Sequence, residues 1–257
     1  MKKENNPKNR DSSFPENKTS KTIEQYISDL ASKKPGISEQ ARNYLVAAGE
    51  SAIRALIMAL SSSNAIIRWE IGKVIENSEI DWSVIADQEI LSLLSKNLIN
   101  NDGFVRLNAR NSLIKIGSKA VPTLIEALSS KQVLKRWEAA KALSQIADPA
   151  ATNALVNAMD DRVFDVRWLA AEGLIAIGSQ AIEPLLHLLK NHPDSVRLRE
   201  GIHHVIYAFN KKDPNEILQP VINALEDSEA VLEVPWAVEK ALKLLKDRKL
   251  INGQPVK

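Results

Sequence analysis

From Thr22 onward, apolar residues recur at steps of three and four, the spacing that gathers side chains into one stripe of an α-helix. Ala120–Leu128 and Ala181–Leu189 show it most clearly, and each begins near a proline, Pro122 or Pro184. Proline is tolerated in a helix's first turn because the N–H it lacks would have no partner there. A second kind of segment follows, such as Val166 to Ile177, ending at Gly178 as its counterpart ends at Gly117. Glycine accepts the left-handed conformation that closes many helices. No stretch alternates apolar and polar residues long enough to make a strand, so the expected fold is all-α.

The helices recur in pairs. An arginine followed by a large apolar residue appears as Arg68-Trp69-Glu70, Arg106-Leu107-Asn108, Arg136-Trp137-Glu138, Arg167-Trp168-Leu169 and Arg197-Leu198-Arg199, at spacings of 38, 30, 31 and 30. Pro235-Trp236-Ala237 reads as a degenerate sixth copy, 38 beyond Arg197. Between them recur Ala48-Gly49-Glu50-Ser51-Ala52, Ile116-Gly117-Ser118-Lys119-Ala120 and Ile177-Gly178-Ser179-Gln180-Ala181. Self-similarity at this period signals stacked supersecondary units that share one continuous core. About seven are expected, near 22–48, 49–79, 80–117, 118–148, 149–178, 179–211 and 212–248. Longer first helices, Ser83–Asn100 and Asn215–Glu226, would account for the wider spacings. The end units should have more polar outer faces, as Gln25, Glu39 and Gln40 suggest.

Composition changes this picture mainly at the ends. Residues 1–21 hold Lys2, Lys3, Lys8, Arg10, Lys18 and Lys21 against Glu4, Asp11 and Glu16, with Phe14 the lone aromatic. They are too polar to bury a core and are expected to be a disordered basic tail. The solenoid should run from 22 to 248, with 249–257 as a C-terminal tail. Of 34 Lys+Arg and 32 Asp+Glu, 28 and 29 fall outside the first 21 residues, so the repeats are almost neutral. A nucleic-acid partner bound through a broad basic footprint is therefore disfavoured. The chain has no cysteine, which removes disulfides, thiolate metal sites and a thiol nucleophile. Neither a secretory leader nor a membrane span is expected, since Lys2 and Lys3 precede polar residues and apolar runs such as Ala55–Leu60 are short. A cytoplasmic location is the default expectation.

The run Val166-Arg167-Trp168-Leu169-Ala170-Ala171-Glu172-Gly173-Leu174-Ile175-Ala176-Ile177-Gly178 resembles the HEAT repeats, in the short variety also found in phycobilisome bilin lyases. Val105-Arg106 through Ile116-Gly117 and Arg136 through Leu143 match in part, and the resemblance covers about residues 49–206. It implies a right-handed α-solenoid (superhelix) of two-helix units whose second helices line the concave wall. The period and the missing Trp-x-x-Leu-Gly signature fit tetratricopeptide repeats less well. HEAT-like deoxyhypusine hydroxylases use His-Glu pairs as iron ligands, and none of His187, His192, His203 and His204 is followed by Glu.

With Val166 at angle zero and about 100° per residue, Ala170, Gly173, Leu174 and Ile177 fall on the core side of their helix. Trp168 falls opposite, near Glu172 and Ile175. The same construction sets Trp69 beside Lys73, Trp137 beside Lys141, and Trp236 beside Lys240, with Leu107 and Leu198 in the equivalent places. These residues form a candidate concave binding stripe, since an indole buries much area with few rotatable bonds. The competing reading is that each ring packs between neighbouring second helices. For Arg68, Arg106, Arg136, Arg167 and Arg197 the favoured reading is a structural ladder. Its arginines would bond carboxylates such as Asp102, Asp165 and Asp194 and loop carbonyls between units; phosphate recognition is the alternative. His203 and His204 point about 100° apart, a poor arrangement for one metal. No catalytic residue, metal site or cofactor is expected, and no phosphate loop or nucleophile elbow occurs. The expected function is a non-catalytic scaffold or adaptor for a protein or peptide partner. A bilin lyase-like chromophore-handling protein and a DNA-binding HEAT-like protein are the alternatives. The sequence leaves the oligomeric state open.

Overall fold

The structure, a computed structural model, describes residues 21–214 and 216–251. Among these, helices come in seven successive pairs. They are α1 (Ile23–Asp29) with α2 (Ile37–Ala47), α3 (Glu50–Met58) with α4 (Ala65–Asn77), and α5 (Gln88–Asn97) with α6 (Gly103–Ile116). Then follow α7 (Val121–Leu128) with α8 (Val133–Ile146), α9 (Thr152–Ala158) with α10 (Phe164–Ile177), α11 (Ile182–Asn191) with α12 (Val196–Lys212), and α13 (Gln219–Glu226) with α14 (Ala230–Ile251). No single helix among the described residues is long and apolar enough to cross a membrane.

Local chemistry explains where the helices start. Thr22 and Gln25 form a capping box on α1, each side chain bonding the other's backbone amide. Asn64, Asp87, Asp102 and Ser195 accept from free amides at the starts of α4, α5, α6 and α12. Pro122 lies in the first turn of α7, and Pro184 near the start of α11. The helix-ending glycines differ from expectation. Gly117 (φ 69°, ψ −136°) and Gly178 (φ 89°, ψ −148°) adopt an extended conformation at positive φ, not the left-handed helical one. That region is essentially restricted to glycine. It turns the chain at once into a short 3₁₀ turn that leads the next helix.

The third unit also differs. Its first helix starts at Gln88 and not near Ser83, and the extra residues form a turn over 82–85 that buries Trp82 and Ile85. In the last unit α13 starts at Gln219, again after a turn. The wider repeat spacings are therefore taken up by connections. The expected basic tail lies outside the described residues except for Lys21, which donates to Asp29 at 2.6 Å. At the other end α14 continues to Ile251, three residues into the stretch expected to be a tail.

One core runs through the stack, built from fully buried residues such as Ile53, Leu56, Leu94, Leu113, Leu143, Leu155, Leu174, Leu185 and Ile202. Each such side chain contributes about 1.5–3 kcal/mol of burial free energy. From α2 to α12 successive second helices pack on one another along one side of the stack, and successive first helices along the other. The last pair is turned around. α13 packs on α12, through His203–Glu226 and Asn210–Gln219 contacts, while α14 packs on α11 and brings Glu239 to Lys190 at 3.8 Å.

Candidate functional site: the wall of second helices

Trp69, Leu107, Trp137 and Trp168 each occupy the fifth position of their helices, α4, α6, α8 and α10. Four consecutive layers therefore present a large apolar group at one height. Trp69, Leu107 and Trp168 are exposed, and Trp137 is half-buried. Each indole also has a neighbour. Lys73 lies 3.3 Å from the centre of the Trp69 ring, a close cation–π contact. Arg110 of the preceding layer stands 5.7 Å over Trp137. Trp168 stacks on His204 of the following layer at 4.7 Å and lies 6.3 Å from Phe164.

Two expected members of this row are elsewhere. Leu198 is 1% exposed and belongs to the core. The fifth position of α12 is Glu200, because the helix register there is set by Leu198 and Arg199 and not by Arg197 and Leu198. Trp236 is 77% exposed but sits on α14, which packs against α11, so it and Lys240 lie off the wall. Lys141 and Glu172 share the ninth position with Lys73, and Glu172 bonds His204 at 3.1 Å.

A second row lies one turn earlier on the same helices. Ile66, Phe104, Val133, Leu134 and Phe164 are all exposed. They stand three or four residues before Trp69, Leu107, Trp137 and Trp168, so each pair shares a helix face. The available signal was an apolar residue immediately after a polar loop. In sequence such a residue looks the same whether or not the next layer covers it.

The arginines sit at the fourth position and close the loops behind the wall. Arg68 donates to the Ser62 carbonyl and to Asp102 of the next unit, both at 2.6 Å. Arg136 bonds both oxygens of Asp161, at 2.6 and 3.0 Å, together with the carbonyls of Ser130 and Lys131. Arg106 donates to Asn100 and Asn101, Arg167 to the Asp161 carbonyl, and Arg199 to the Pro193 carbonyl. In every case one bonded carbonyl lies six residues earlier in the same unit, which corrects the expectation that the carbonyls come from a neighbour. Arg197 stands off this ladder and pairs with exposed Asp160 at 3.2 Å. No pairing of Asp165 or Asp194 is seen among the described residues.

The carboxylates respond accordingly. Burial pushes the Asp161 carboxyl up, but Arg136 and the Val163 amide together hold it below its usual range. At Asp102 burial is likewise outweighed, by the amides of Phe104 and Val105 and by Arg68. Glu70 and Glu138, at the sixth positions of α4 and α8, are buried between second helices. Arg42 and Lys73 pair with Glu70 at 2.7 and 3.2 Å; Arg110 and Arg106 pair with Glu138. The Arg-Trp-Glu triplets do not show these pairs in sequence, since nothing in the triplet shows that the glutamate turns inward.

Residues 91–175 and 121–205 match the HEAT repeats. The bilin biosynthesis protein RpcF of Synechococcus sp. (strain WH8020) is 27% identical over 170 residues, covering 61% of this chain and 81% of that protein. Among solved structures, an engineered protein overlaps with a TM-score of 0.40 at 21% identity, covering 74% of this chain and 96% of its own. Human deoxyhypusine hydroxylase overlaps with a TM-score of 0.36 at 18% identity, with the same coverages. The matched residues run from α5 into α12, so they include Leu107, Trp137 and Trp168 but not Trp69 on α4. The chain carries HEAT repeats over residues 91–205.

Proposed function

We propose that the chain is a non-catalytic scaffold that holds a protein or peptide segment along the wall of second helices. One observation carries this reading: a double row of apolar residues, all but Trp137 exposed, crosses four consecutive layers, from Ile66 and Trp69 to Phe164 and Trp168. Isolated exposed apolar groups are ordinary, whereas a continuous ridge is a contact surface. Because Trp69, Trp137 and Trp168 already lean on Lys73, Arg110 and His204, packing and binding are combined in the same rings. The most open anchors are in the earlier row, above all Phe104 and Phe164, although Arg167 lies 5.6 Å over the Phe164 ring.

Affinity capture from native lysate tests the reading, with wild type beside a Phe104→Ser/Phe164→Ser/Trp168→Ala variant. The expected result is a protein held by wild type and lost from the folded variant, since truncating an anchor costs about 2 kcal/mol or more at a hot spot. Circular dichroism checks the fold, and equal capture by both chains refutes the ridge.

The likeness to a bilin biosynthesis protein favours a second reading, in which the same ridge holds an extended tetrapyrrole. A bilin added to the pure protein would then show a shifted visible absorption that Trp168→Ala abolishes. An unchanged spectrum removes this alternative.

A further inference from the structure

A cavity of about 580 Å³ opens at the loop edge between the fourth and fifth units, away from the indoles. Ile125, Leu128 and Ala158 give it an apolar side. Its charged lining consists of Lys131, Arg136 and Arg162 against a single carboxylate, Asp161. That carboxylate is already engaged at both oxygens by buried Arg136. Lys131 and Arg162 are exposed, and among the described residues no carboxylate lies within salt-bridge reach of either.

Arg136 also ties together the two loops that carry these cations. It bonds the carbonyl of Lys131 on one loop and the carboxylate of Asp161, next to Arg162, on the other. The same clamp two layers earlier, Arg68 on Ser62 and Asp102, is flanked by Ser63 and Gly103 and so holds no free charge. The cations are therefore a feature of this layer and not of the fold. A cavity of about 400 Å³ where α12 meets α13 and α14 has the opposite balance, Arg199 against Glu200, Glu226 and Asp227.

We propose that the cavity between units four and five is a docking site for an acidic peptide segment. One apolar side chain enters against Ile125, Leu128 and Ala158, while its adjacent carboxylates pair with Lys131 and Arg162. Charge complementarity selects this occupant: Lys131 and Arg162 make no salt bridge among the described residues, and with Arg136 they outnumber the single carboxylate Asp161, which Arg162 also attracts, beside a recess with one apolar side. The apolar side distinguishes it from a site for a bare anion. The site goes beyond the ridge reading and does not depend on it.

The test is an NMR titration of the ¹⁵N-labelled full chain with an acetylated and amidated Leu-Glu-Glu tripeptide at low salt. Saturable shifts are expected at amides 129–131 and 161–163, with affinity falling roughly tenfold in Lys131→Gln/Arg162→Gln as the charge pairing is removed. Both side chains are exposed, so this variant keeps its fold. Unchanged affinity in the variant overturns the proposal, as does equal binding of Leu-Gln-Gln. So does inorganic phosphate shifting these amides where the tripeptide does not. A Phe104→Ser/Phe164→Ser chain is expected to bind the tripeptide like wild type, which separates failure of this site from failure of the ridge.

Discussion

At the scale of single residues, buried charge does more to define this stack than exposed charge. Glu138 is 4% exposed and lies between Arg106 and Arg110, whereas Glu172 is partly exposed and among the described residues pairs with His204. Removing one member of a buried cluster strands the others without compensation, at a cost of about 3–5 kcal/mol. Exposed pairs contribute about 0–1 kcal/mol. Glu138→Ala is therefore expected to lose several kcal/mol in urea unfolding, and Glu172→Ala close to none. Equal losses would mean that the interlayer pairs do not hold the second helices together. None of this was legible beforehand, because both glutamates sit in the same kind of helical segment and only the next layer decides which is covered.

At the scale of elements, two helices meet where side chains are small. α8 and α10 make the most extensive contact between neighbouring helices. Gly173 of α10 faces the Ser144 backbone, and a Cβ added there would stand 3.3 Å from the Ser144 Cα and 2.9 Å from a methyl of Leu155. Alanine favours a helix over glycine by about 1 kcal/mol, but here the backbone on the other side cannot yield cheaply. Gly173→Ala is expected to lower the melting temperature, with a penalty of about 1–3 kcal/mol from overpacking. A raised melting temperature would show that the helices can separate without loss. Helix type and order were legible from the three-and-four spacing and the Arg-Trp marker. Register was not legible in the sixth unit, where Arg197-Leu198 and Leu198-Arg199 both fit the pattern. Burial of Leu198 decides for the second and moves a charged residue, Glu200, into the tryptophan row. Trp82 was missed for a related reason, since it lies in a turn with no period to mark it as buried.

At the scale of the molecule, the same carboxylates give the stack its response to acid. The carboxyl groups of Asp87, Asp102, Asp148 and Asp161 are all held below their usual range. Hydrogen bonding by Arg54 is the chief cause at Asp87, and by Ser118 at Asp148. Their unfolded pKa is near 3.9, so between the folded and unfolded values the unfolded chain binds more protons. The stabilisation is fully present above about pH 5 and is lost as pH falls through the folded values. Urea midpoints are expected to be flat from pH 7 to about 5 and to drop below about pH 4, with a shallower drop in Asp161→Asn. An unaltered acid limb in that variant would remove Asp161 from the set. The repeat architecture was legible at this scale because its period survives loop insertions. The placement of Trp236 was not, because a sequence repeat reports which residues recur and says nothing about which neighbour each copy meets.

The turned last pair therefore has a consequence for growth. A stack of like layers is a one-dimensional crystal, and each face templates the next. Exchanging α13 and α14 introduces a stacking fault: a layer laid upon it meets a first helix where the wall of second helices should continue. The opposite face, formed by α1 and α2, keeps the ordinary order. The two end faces are thus mismatched as lattice planes.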